Sequence, residues 1–272
     1  MGYLSTDKKK ITTKTFAEMK AAGEKVTMLT AYDFTTAGIL DAAGIDSILI
    51  GDSASNVMAG NADTLPITVD QMIYHARSVA RACKHAFVVC DMPFGSYQIS
   101  KEEALRNACR MMKETGVDAL KLEGGIEIAD TVKAMVDAGI PVHGHLGLTP
   151  QSVNKFGGYG IRAKEEAEAQ KLISDAIALD KAGVFAIVLE KVPAKLAAEV
   201  TRQVKAVTIG IGAGNGCDGQ VLVYADALGM TQGFKPKFLR HFARVGEEMQ
   251  KGVKAYIDAV KSTEYPSIEE SY

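Results

Sequence analysis

The sequence lacks the features that mark secreted, membrane-spanning or nucleic-acid-binding proteins. Its four cysteines form no Cys-x-x-Cys pair and no framework spacing, so we expect free, mostly buried thiols rather than disulfides or a cysteine metal site. The apolar runs are far shorter than the roughly 18 residues that a membrane helix needs. The formal net charge is only −2, which disfavours nucleic acid or an anionic membrane as the main partner.

The amino terminus carries no targeting signal that we can identify. Residues 1–10 are polar and include three consecutive lysines, so no signal peptide is predicted. Together these absences predict a soluble cytoplasmic protein that binds neither membranes nor nucleic acid. Hydrophobic residues make up 47% of the 272-residue chain and charged residues 24%, which is enough for a large core in an ordinary globular protein.

Short apolar segments alternate with longer helical segments along the whole chain. We predict strands at residues 26–30, 47–50, 86–90, 119–123, 140–145, 185–189, 207–211 and 221–224. We predict helices at residues 15–22, 35–43, 70–84, 101–115, 126–138, 164–182, 194–204 and 236–262, and long loops at residues 54–68 and 146–163. Such alternation indicates parallel βαβ units.

Eight such units in a chain of this length favour a closed (β/α)₈ barrel, or TIM barrel, over an open sheet. No linker and no shift in composition interrupts the pattern. We therefore expect a single barrel domain over residues 1–272, with a short N-terminal helix and a long C-terminal helix.

Five of the predicted strands carry polar residues at their carboxyl ends. These residues are Asp52, Asp91, Lys121 with Glu123, His143 with His145, and Glu190. Side chains at positions i and i+2 of a strand share a face, and in a barrel the strand ends converge on one mouth. Several buried charges there are costly unless a cation and an anionic ligand neutralise them. The pattern predicts a site for a metal ion and an anionic substrate.

Oxygen ligands without cysteine favour a hard cation, Mg²⁺ before Zn²⁺. Zinc stays open as an alternative because His143 and His145 form a His-x-His pair on one strand. A Mg²⁺ ion held by one or two carboxylates keeps positions open for the keto and carboxylate oxygens of a 2-oxo acid, and would stabilise its enolate. Glu190, with no metal of its own, is then the candidate base.

Three further segments each have two interpretations. Asp52 and Ser53 follow a buried strand, and both residue types also cap helices. Residues 210–214 are glycine-rich and indicate either a phosphate site after the seventh strand or a tight turn, which we favour because the spacing lacks a P-loop or dinucleotide pattern. Residues 156–160 indicate either a mobile lid or an ordinary surface loop.

Several stretches together resemble the ketopantoate hydroxymethyltransferase (3-methyl-2-oxobutanoate hydroxymethyltransferase) family. They are residues 30–33, 51–53, 64–66, 91–94, 121–125, 144–152, 189–190, 210–214 and 218–220, which span nearly the whole chain in order. The resemblance implies a (β/α)₈ barrel of the phosphoenolpyruvate/pyruvate type that assembles as a homo-oligomer, commonly a decamer. It also implies transfer of a hydroxymethyl group from the co-substrate 5,10-methylenetetrahydrofolate to 3-methyl-2-oxobutanoate, giving 2-dehydropantoate for pantothenate biosynthesis.

The resemblance also implies roles for individual residues. Asp52 and Asp91 are expected to bind Mg²⁺ directly, and Glu123 through water. Substrate contacts are expected from Asp52, Ser53, Asp91 and Lys121, with His145 beside the substrate. Glu190 is expected to be the catalytic base that removes the proton from C3 of the oxo acid.

The chain departs from the usual family pattern at Ala54, Ser55, Asn61 and residues 160–163. None of these is an expected metal ligand or the base. The alternative function is that of a lyase or mutase of the same barrel superfamily, which usually carries a catalytic cysteine in a mobile loop. Here only Cys217 lies near a glycine-rich loop. A non-enzymatic barrel is disfavoured by the charges at five strand ends.

Overall fold

The computed structural model of the chain describes residues 9–231, 233 and 235–272. Within them, consecutive strands pair in parallel and the sheet closes into a barrel in sequence order. The strands are β1 (Val26–Thr30), β2 (Ser47–Ile50), β3 (Phe87–Asp91), β4 (Ala119–Glu123), β5 (Val142–Gly147), β6 (Ala186–Glu190), β7 (Val207–Ile211) and β8 (Gly219–Leu222). The predicted eight-stranded barrel is confirmed.

Helices follow most of the strands. They are α1 (Thr13–Ala22), α2 (Phe34–Ala43), α3 (Ala54–Val57), α4 (Val69–Ala82), α5 (Lys101–Thr115), α6 (Ala129–Asp137), α7 (Val153–Phe156), α8 (Glu166–Ala182), α9 (Ala194–Gln203), α10 (Tyr224–Ala227) and α11 (Val245–Lys261). Two 3₁₀ turns cover Ile126–Ile128 and Pro150–Ser152. The predicted loops at residues 54–68 and 146–163 therefore contain the short helices α3 and α7.

The barrel strands are buried on both faces because helices cover their outer surface. Every residue of β2, β3 and β4 is buried, which explains why these strands read as continuous apolar runs. The inward side chains alternate along each strand, with Leu49, Val89 and Val188 in one apolar cluster inside the barrel. The polar residues of β3 to β6 continue this inward face toward the carboxyl ends.

Helix α1 closes the amino-terminal end of the barrel. Phe16 is fully buried and meets the rings of Phe87 and Phe185 edge-on, with centroids 5.3 and 5.4 Å away. Lys20 anchors the helix by donating to the Ala206 carbonyl at 2.7 Å and pairing with Asp218 at 2.9 Å. This end is therefore filled by apolar side chains, and the opposite end is left for the polar residues.

The chain forms two compact units, residues Met1–Val221 and Leu222–Tyr272. The first holds the barrel, and the second holds α10 and α11. The single-domain organisation expected from the sequence stays a prediction. No helix in the described part of the chain is long and apolar enough to cross a membrane.

Several element boundaries predicted from the sequence are wrong. β5 spans Val142–Gly147 rather than residues 140–145. The last strand spans Gly219–Leu222 rather than residues 221–224, because Gly219 and Gln220 already pair with β7.

The C-terminal helix begins at Val245 rather than at residue 236. The Phe242 and Val245 amides donate to the carbonyls of Ala227, the last residue of α10, and Leu228 instead of to a preceding turn of their own helix.

The cysteine prediction holds only in part. All four thiols are free, as expected, but only Cys90 and Cys217 are buried. Cys83 is half-buried and Cys109 is exposed.

Replacing Phe16 with alanine should destabilise the barrel by about 3–5 kcal/mol, the range for deleting a fully buried aromatic side chain. Urea unfolding followed by circular dichroism measures the effect. Phe94, which is 51% exposed, provides the matched control, and Phe94→Ala should change stability by less than about 0.5 kcal/mol. Equal effects of the two variants would contradict the role given to α1.

Candidate active site

The carboxyl ends of β2 and β3 bring the first two predicted metal ligands together. Asp91 ends β3, and Asp52 follows β2 after Gly51. The Asp52 backbone amide donates to Asp91 Oδ2 at 3.0 Å, and both side chains are almost fully buried. A Cβ at residue 51 would lie 2.5 Å from Ser53 Oγ, so a side chain there would displace the Ser53 hydroxyl.

Lys121 and His145 continue the cluster on β4 and β5. Lys121 Nζ lies 3.0 Å from Asp91 Oδ1 and 3.1 Å from His145 Nδ1. The strand register pairs Asp91 with Lys121 and Glu123 with His145, which places all four side chains on the inward face. The ammonium group therefore lies between a carboxylate and the imidazole.

Glu123 and Glu190 flank the imidazole of His145. Glu123 Oε1 lies 3.4 Å from Nδ1, and Glu190 Oε2 lies 3.3 Å from Nε2. When neutral, His145 can accept through Nδ1 from Lys121; when charged, both ring nitrogens donate, one toward each carboxylate. Glu190 is the most accessible of these groups, with 17% of its side chain exposed.

Ser53 occupies the N-cap position of α3 but makes no capping hydrogen bond through its side chain. Its hydroxyl instead lies 2.7 Å from the Tyr32 hydroxyl. The capping interpretation therefore describes the backbone position only. The side chain of Ser53 belongs to the polar layer at the barrel mouth.

The structure thus joins every predicted site residue through a continuous set of contacts. They are Asp52, Ser53, Asp91, Lys121, Glu123, His145 and Glu190. Ser53 joins through the backbone next to Asp52, and Asp52 joins through its backbone amide to Asp91. The other residues join through side-chain contacts. Their proximity agrees with the expectation from the strand ends, and their individual roles stay predictions.

The pKa values in this cluster reflect burial and the surplus of carboxylates. Burial raises the pKa of Asp52 well above its ordinary value, and the charges of Asp91 and Glu123 raise it further. Burial alone lowers the pKa of Lys121, but the charges of Asp91 and Glu123 reverse that effect and raise it. Lys121 therefore stays charged, and Asp52 resists ionisation without an additional cation.

His145 has a raised pKa for a similar reason. Burial and the charge of Lys121 lower its pKa, but hydrogen bonds to Glu123 and Glu190 outweigh both and bring it to about 9. An imidazole with this pKa is charged at neutral pH.

The donor set fits a hard divalent cation. When every group is ionised, four carboxylates face two cations, which leaves an excess of two negative charges. These six groups are Asp52, Asp91, Glu123, Glu190, Lys121 and His145. Oxygen ligands with a net negative charge are what Mg²⁺ prefers in proteins.

Two buried carboxylate oxygens of the cluster also have no hydrogen-bond partner beyond their ion pairs. Glu123 Oε1 lies 3.4 Å from His145 Nδ1, and Asp91 Oδ1 lies 3.0 Å from Lys121 Nζ. Among the described residues, no three His, Cys, Asp or Glu side chains are placed to hold a metal by themselves. An ion here would complete its shell with water and substrate oxygens, as Mg²⁺ usually does.

The zinc alternative gains no support from the two histidines. His143 lies deeper in the barrel, fully buried, and its ring is 5.4 Å from that of Phe185. Neither ring nitrogen of His143 has a hydrogen-bond partner. Burial and the nearby charges of Lys121 and His145 hold its pKa well below the ordinary value.

Sequence reasoning missed three buried residues of the site. Tyr32 binds Ser53, and Gln151 binds both Asp52 and Glu123. Tyr97 binds Gln151 and the Glu123 backbone. Tyr32 and Gln151 lie in stretches that carry the family resemblance, but their spacing gave no sign of a contact with the carboxylates.

The glycine-rich segments have structural explanations. A Cβ at Gly214 would lie 2.5 Å from Ala194 Cβ, so the turn at residues 212–214 packs directly on α9. At the other segment, Lys191 Nζ donates to the Tyr159 carbonyl and the Arg162 amide donates to the Lys191 carbonyl. The loop at residues 156–162 is thus attached to the residue that follows Glu190.

Two of the departures from the family pattern contact each other. Asn61 Nδ2 donates to Ser55 Oγ at 3.1 Å, and Ser55 Oγ donates to the Asp63 carbonyl at 2.7 Å. Ser55 is fully buried. The two changed residues therefore stabilise the loop after α3 together.

A cavity of about 590 Å³ lies beside the carboxylates. Glu123, Tyr97 and Gln151 contribute to its inner wall, and Phe156 and Arg162 contribute to another part of its lining. Its volume lies in the range of roughly 300–1,000 Å³ that is usual for small-molecule sites.

A family model described as ketopantoate hydroxymethyltransferase matches residues 10–268. The chain belongs to this family. The 3-methyl-2-oxobutanoate hydroxymethyltransferase of Christiangramia forsetii is 60% identical and covers 100% of both chains. The enzyme of the same name from Phocaeicola vulgatus is 58% identical over 100% of this chain and 99% of its own. The family resemblance seen in the sequence is confirmed.

Solved structures with much lower identity share the fold. A phosphonopyruvate hydrolase in complex with oxalate and Mg²⁺ superposes with a TM-score of 0.61 at 11% identity, covering 96% of this chain and 93% of its own. The 2,3-dimethylmalate lyase, a member of the PEP mutase/isocitrate lyase superfamily, gives 0.55 at 13% identity, covering 94% and 88%. These likenesses confirm the (β/α)₈ fold.

The raised pKa of His145 predicts a titration well above that of an ordinary histidine. In the metal-free protein, its ring proton resonance should titrate with a midpoint of about 9 and be missing from His145→Gln. Because the folded-state pKa exceeds the ordinary value, this proton stabilises the fold below about pH 6.5. That stability should disappear as the pH rises through 9. A midpoint at or below about 6.5, the ordinary value for histidine, would contradict the ion pairs described here.

Proposed function

We propose that the chain is an enzyme that transfers a hydroxymethyl group from 5,10-methylenetetrahydrofolate to 3-methyl-2-oxobutanoate and forms 2-dehydropantoate. This reaction would make it the first committed enzyme of pantothenate biosynthesis. Relatives at 58% and 60% identity over the whole chain carry this enzyme's name, which supports the assignment. The lyase or mutase alternative has only fold likeness at 11–15% identity behind it. Cys217 is buried and its pKa is raised by burial, unlike a reactive loop cysteine.

The observation that carries the proposal is the placement of Glu190 opposite the aspartates. Asp52 follows β2, whereas Glu190 ends β6, four strands away in an eight-stranded barrel. A small oxo acid held at Asp52 and Asp91 would present its carbon chain toward the other wall. Glu190 would then remove the C3 proton, and His145, 3.3 Å from Glu190, would orient the carboxylate.

We propose that Asp52 and Asp91 hold Mg²⁺, with Glu123 reaching it through water. When bound, the ion would supply positive charge where negative charge develops on the keto oxygen of the substrate. Lys121, buried and charged, would pair with the substrate carboxylate together with the Ser53 hydroxyl. Helix α1 closes the amino-terminal end of the barrel, and the water excluded there would strengthen each of these interactions.

The co-substrate and the assembly are further parts of the proposal. The cavity beside Glu123 and Gln151 is large enough for part of a second ligand. We also propose a cytoplasmic homo-oligomer, commonly a decamer in this family. Support for assembly comes from α11, which has no buried residue and exposes Met249, Val253 and Tyr256.

Replacing Glu190 with glutamine should slow proton–deuterium exchange at C3 of 3-methyl-2-oxobutanoate by about 10²–10⁴-fold, because a positioned base contributes that much. Proton NMR in deuterated buffer measures the exchange, and calorimetry should show nearly unchanged binding of the oxo acid. Glu199→Gln, on the exposed surface of α9, is the matched control. Exchange at the normal rate in Glu190→Gln would remove this residue as the base.

Alanine at Asp52 or Asp91 should weaken Mg²⁺ binding by more than the roughly 10–100-fold that the loss of an outer-shell partner costs. Isothermal titration calorimetry of the metal-free variants measures this affinity. Asp70→Ala removes a carboxylate that pairs only with a surface arginine and should bind Mg²⁺ like the parent. Unchanged affinity in both site variants would refute the metal assignment.

A further inference from the structure

Gln151 is the residue that contacts two of the predicted metal carboxylates at once. It lies in the 3₁₀ turn after β5 and is 6% exposed. Its side-chain Nε2 donates to Asp52 Oδ2 at 2.9 Å and to the Met92 carbonyl at 2.9 Å. Its backbone amide donates to Glu123 Oε2 at 2.9 Å.

The orientation of this side-chain amide is fixed by its partners. The Met92 carbonyl can only accept a hydrogen bond, so the nitrogen of Gln151 must face it. The oxygen end faces two donors, the Tyr97 hydroxyl at 2.7 Å and Gln98 Nε2 at 3.0 Å. With the nitrogen so placed, its second hydrogen points at Asp52.

Tyr97 ties the same network to the other carboxylate. Its hydroxyl accepts from the Glu123 backbone amide at 3.0 Å while donating to Gln151. The ring is 2% exposed, so the hydroxyl cannot move without disturbing the core. Glu123 is therefore held through its main chain by Tyr97 and through its side chain by Gln151.

We propose that Gln151 is a positioning residue for the metal site, fixing Asp52, which follows β2, and Glu123 on β4 relative to each other. These two strands are not neighbours in the barrel, because β3 lies between them. The sheet hydrogen bonds alone therefore do not set the distance between their side chains. The inference rests on the proposed metal role of the two carboxylates.

Each carboxylate keeps a second oxygen for an ion. Gln151 engages Asp52 Oδ2 and Glu123 Oε2, while Glu123 Oε1 has no hydrogen-bond partner beyond the His145 ring nitrogen at 3.4 Å. Outer-shell partners of this kind orient metal ligands, and their loss typically lowers metal affinity by about 10–100-fold. Gln151 would thus orient the ligands while leaving oxygens free for the ion.

The test measures Mn²⁺ binding to the metal-free protein by electron paramagnetic resonance, without any substrate. Gln151→Met should weaken Mn²⁺ binding at least tenfold and broaden the distribution of bound-ion spectra. Tyr97→Phe, which removes one donor to Gln151, should weaken it less. Gln203→Met is the matched control, because exposed Gln203 donates only to Glu199 on the surface of α9, and it should bind Mn²⁺ like the parent.

The outcomes separate this inference from the metal assignment. If the parent protein and Asp52→Asn bind Mn²⁺ equally weakly, the metal assignment fails. If the parent binds Mn²⁺ normally, Asp52→Asn loses binding and Gln151→Met keeps the affinity of the parent, only the positioning role is overturned. If Gln151→Met does not fold by circular dichroism, Mn²⁺ binding of Tyr97→Phe is compared with that of Gln203→Met. Weaker binding in Tyr97→Phe alone supports the positioning role, and equal binding overturns it.

Discussion

The interaction on which the site depends is the two-sided hydrogen bonding of Asp91. One oxygen accepts from the Asp52 amide at 3.0 Å, and the other lies 3.0 Å from Lys121 Nζ. Burying a carboxylate without such partners costs several kcal/mol. Because Asp91 joins β2 to β4 across its own strand, the turn after β2 and the ammonium on β4 can share one buried layer. Without this carboxylate, Lys121 would face only the imidazole of His145.

The barrel geometry makes this layer possible. Parallel strands in register carry inward side chains at matching heights, so Asp91 lies beside Lys121, and Glu123 lies beside His145. Below them the interior is apolar, and Phe16 of α1 closes the lower end. In a polar layer above a dry core, attraction between opposite charges and repulsion between like charges are both strong. The same burial that strengthens the ion pairs also makes the surplus of negative charge expensive.

Sequence reasoning could place the charged residues because strand ends and i, i+2 spacing are local features. It could not separate His143 from His145, which share a face but differ in depth: one lies against Phe185 and the other between two glutamates. It also missed Gln151, because its bond to Asp52 spans 99 residues of sequence. The start of α11 was wrong for a similar reason, since tertiary hydrogen bonds of Phe242 and Val245 replace the expected helical ones.

The departures from the family pattern lie outside the ion-pair cluster. Ser55 and Asn61 bond to each other rather than to the charged side chains. Residues 160–162 belong to the loop that is attached through Lys191, and the Arg162 hydrogen bond to Lys191 is made by a backbone amide. That contact depends on the path of the chain, whereas the Arg162 side chain pairs with Glu168 and lies over the Phe156 ring. The loops around the mouth can therefore differ in sequence without changing which strands bring Asp52 and Glu190 to opposite walls of the barrel.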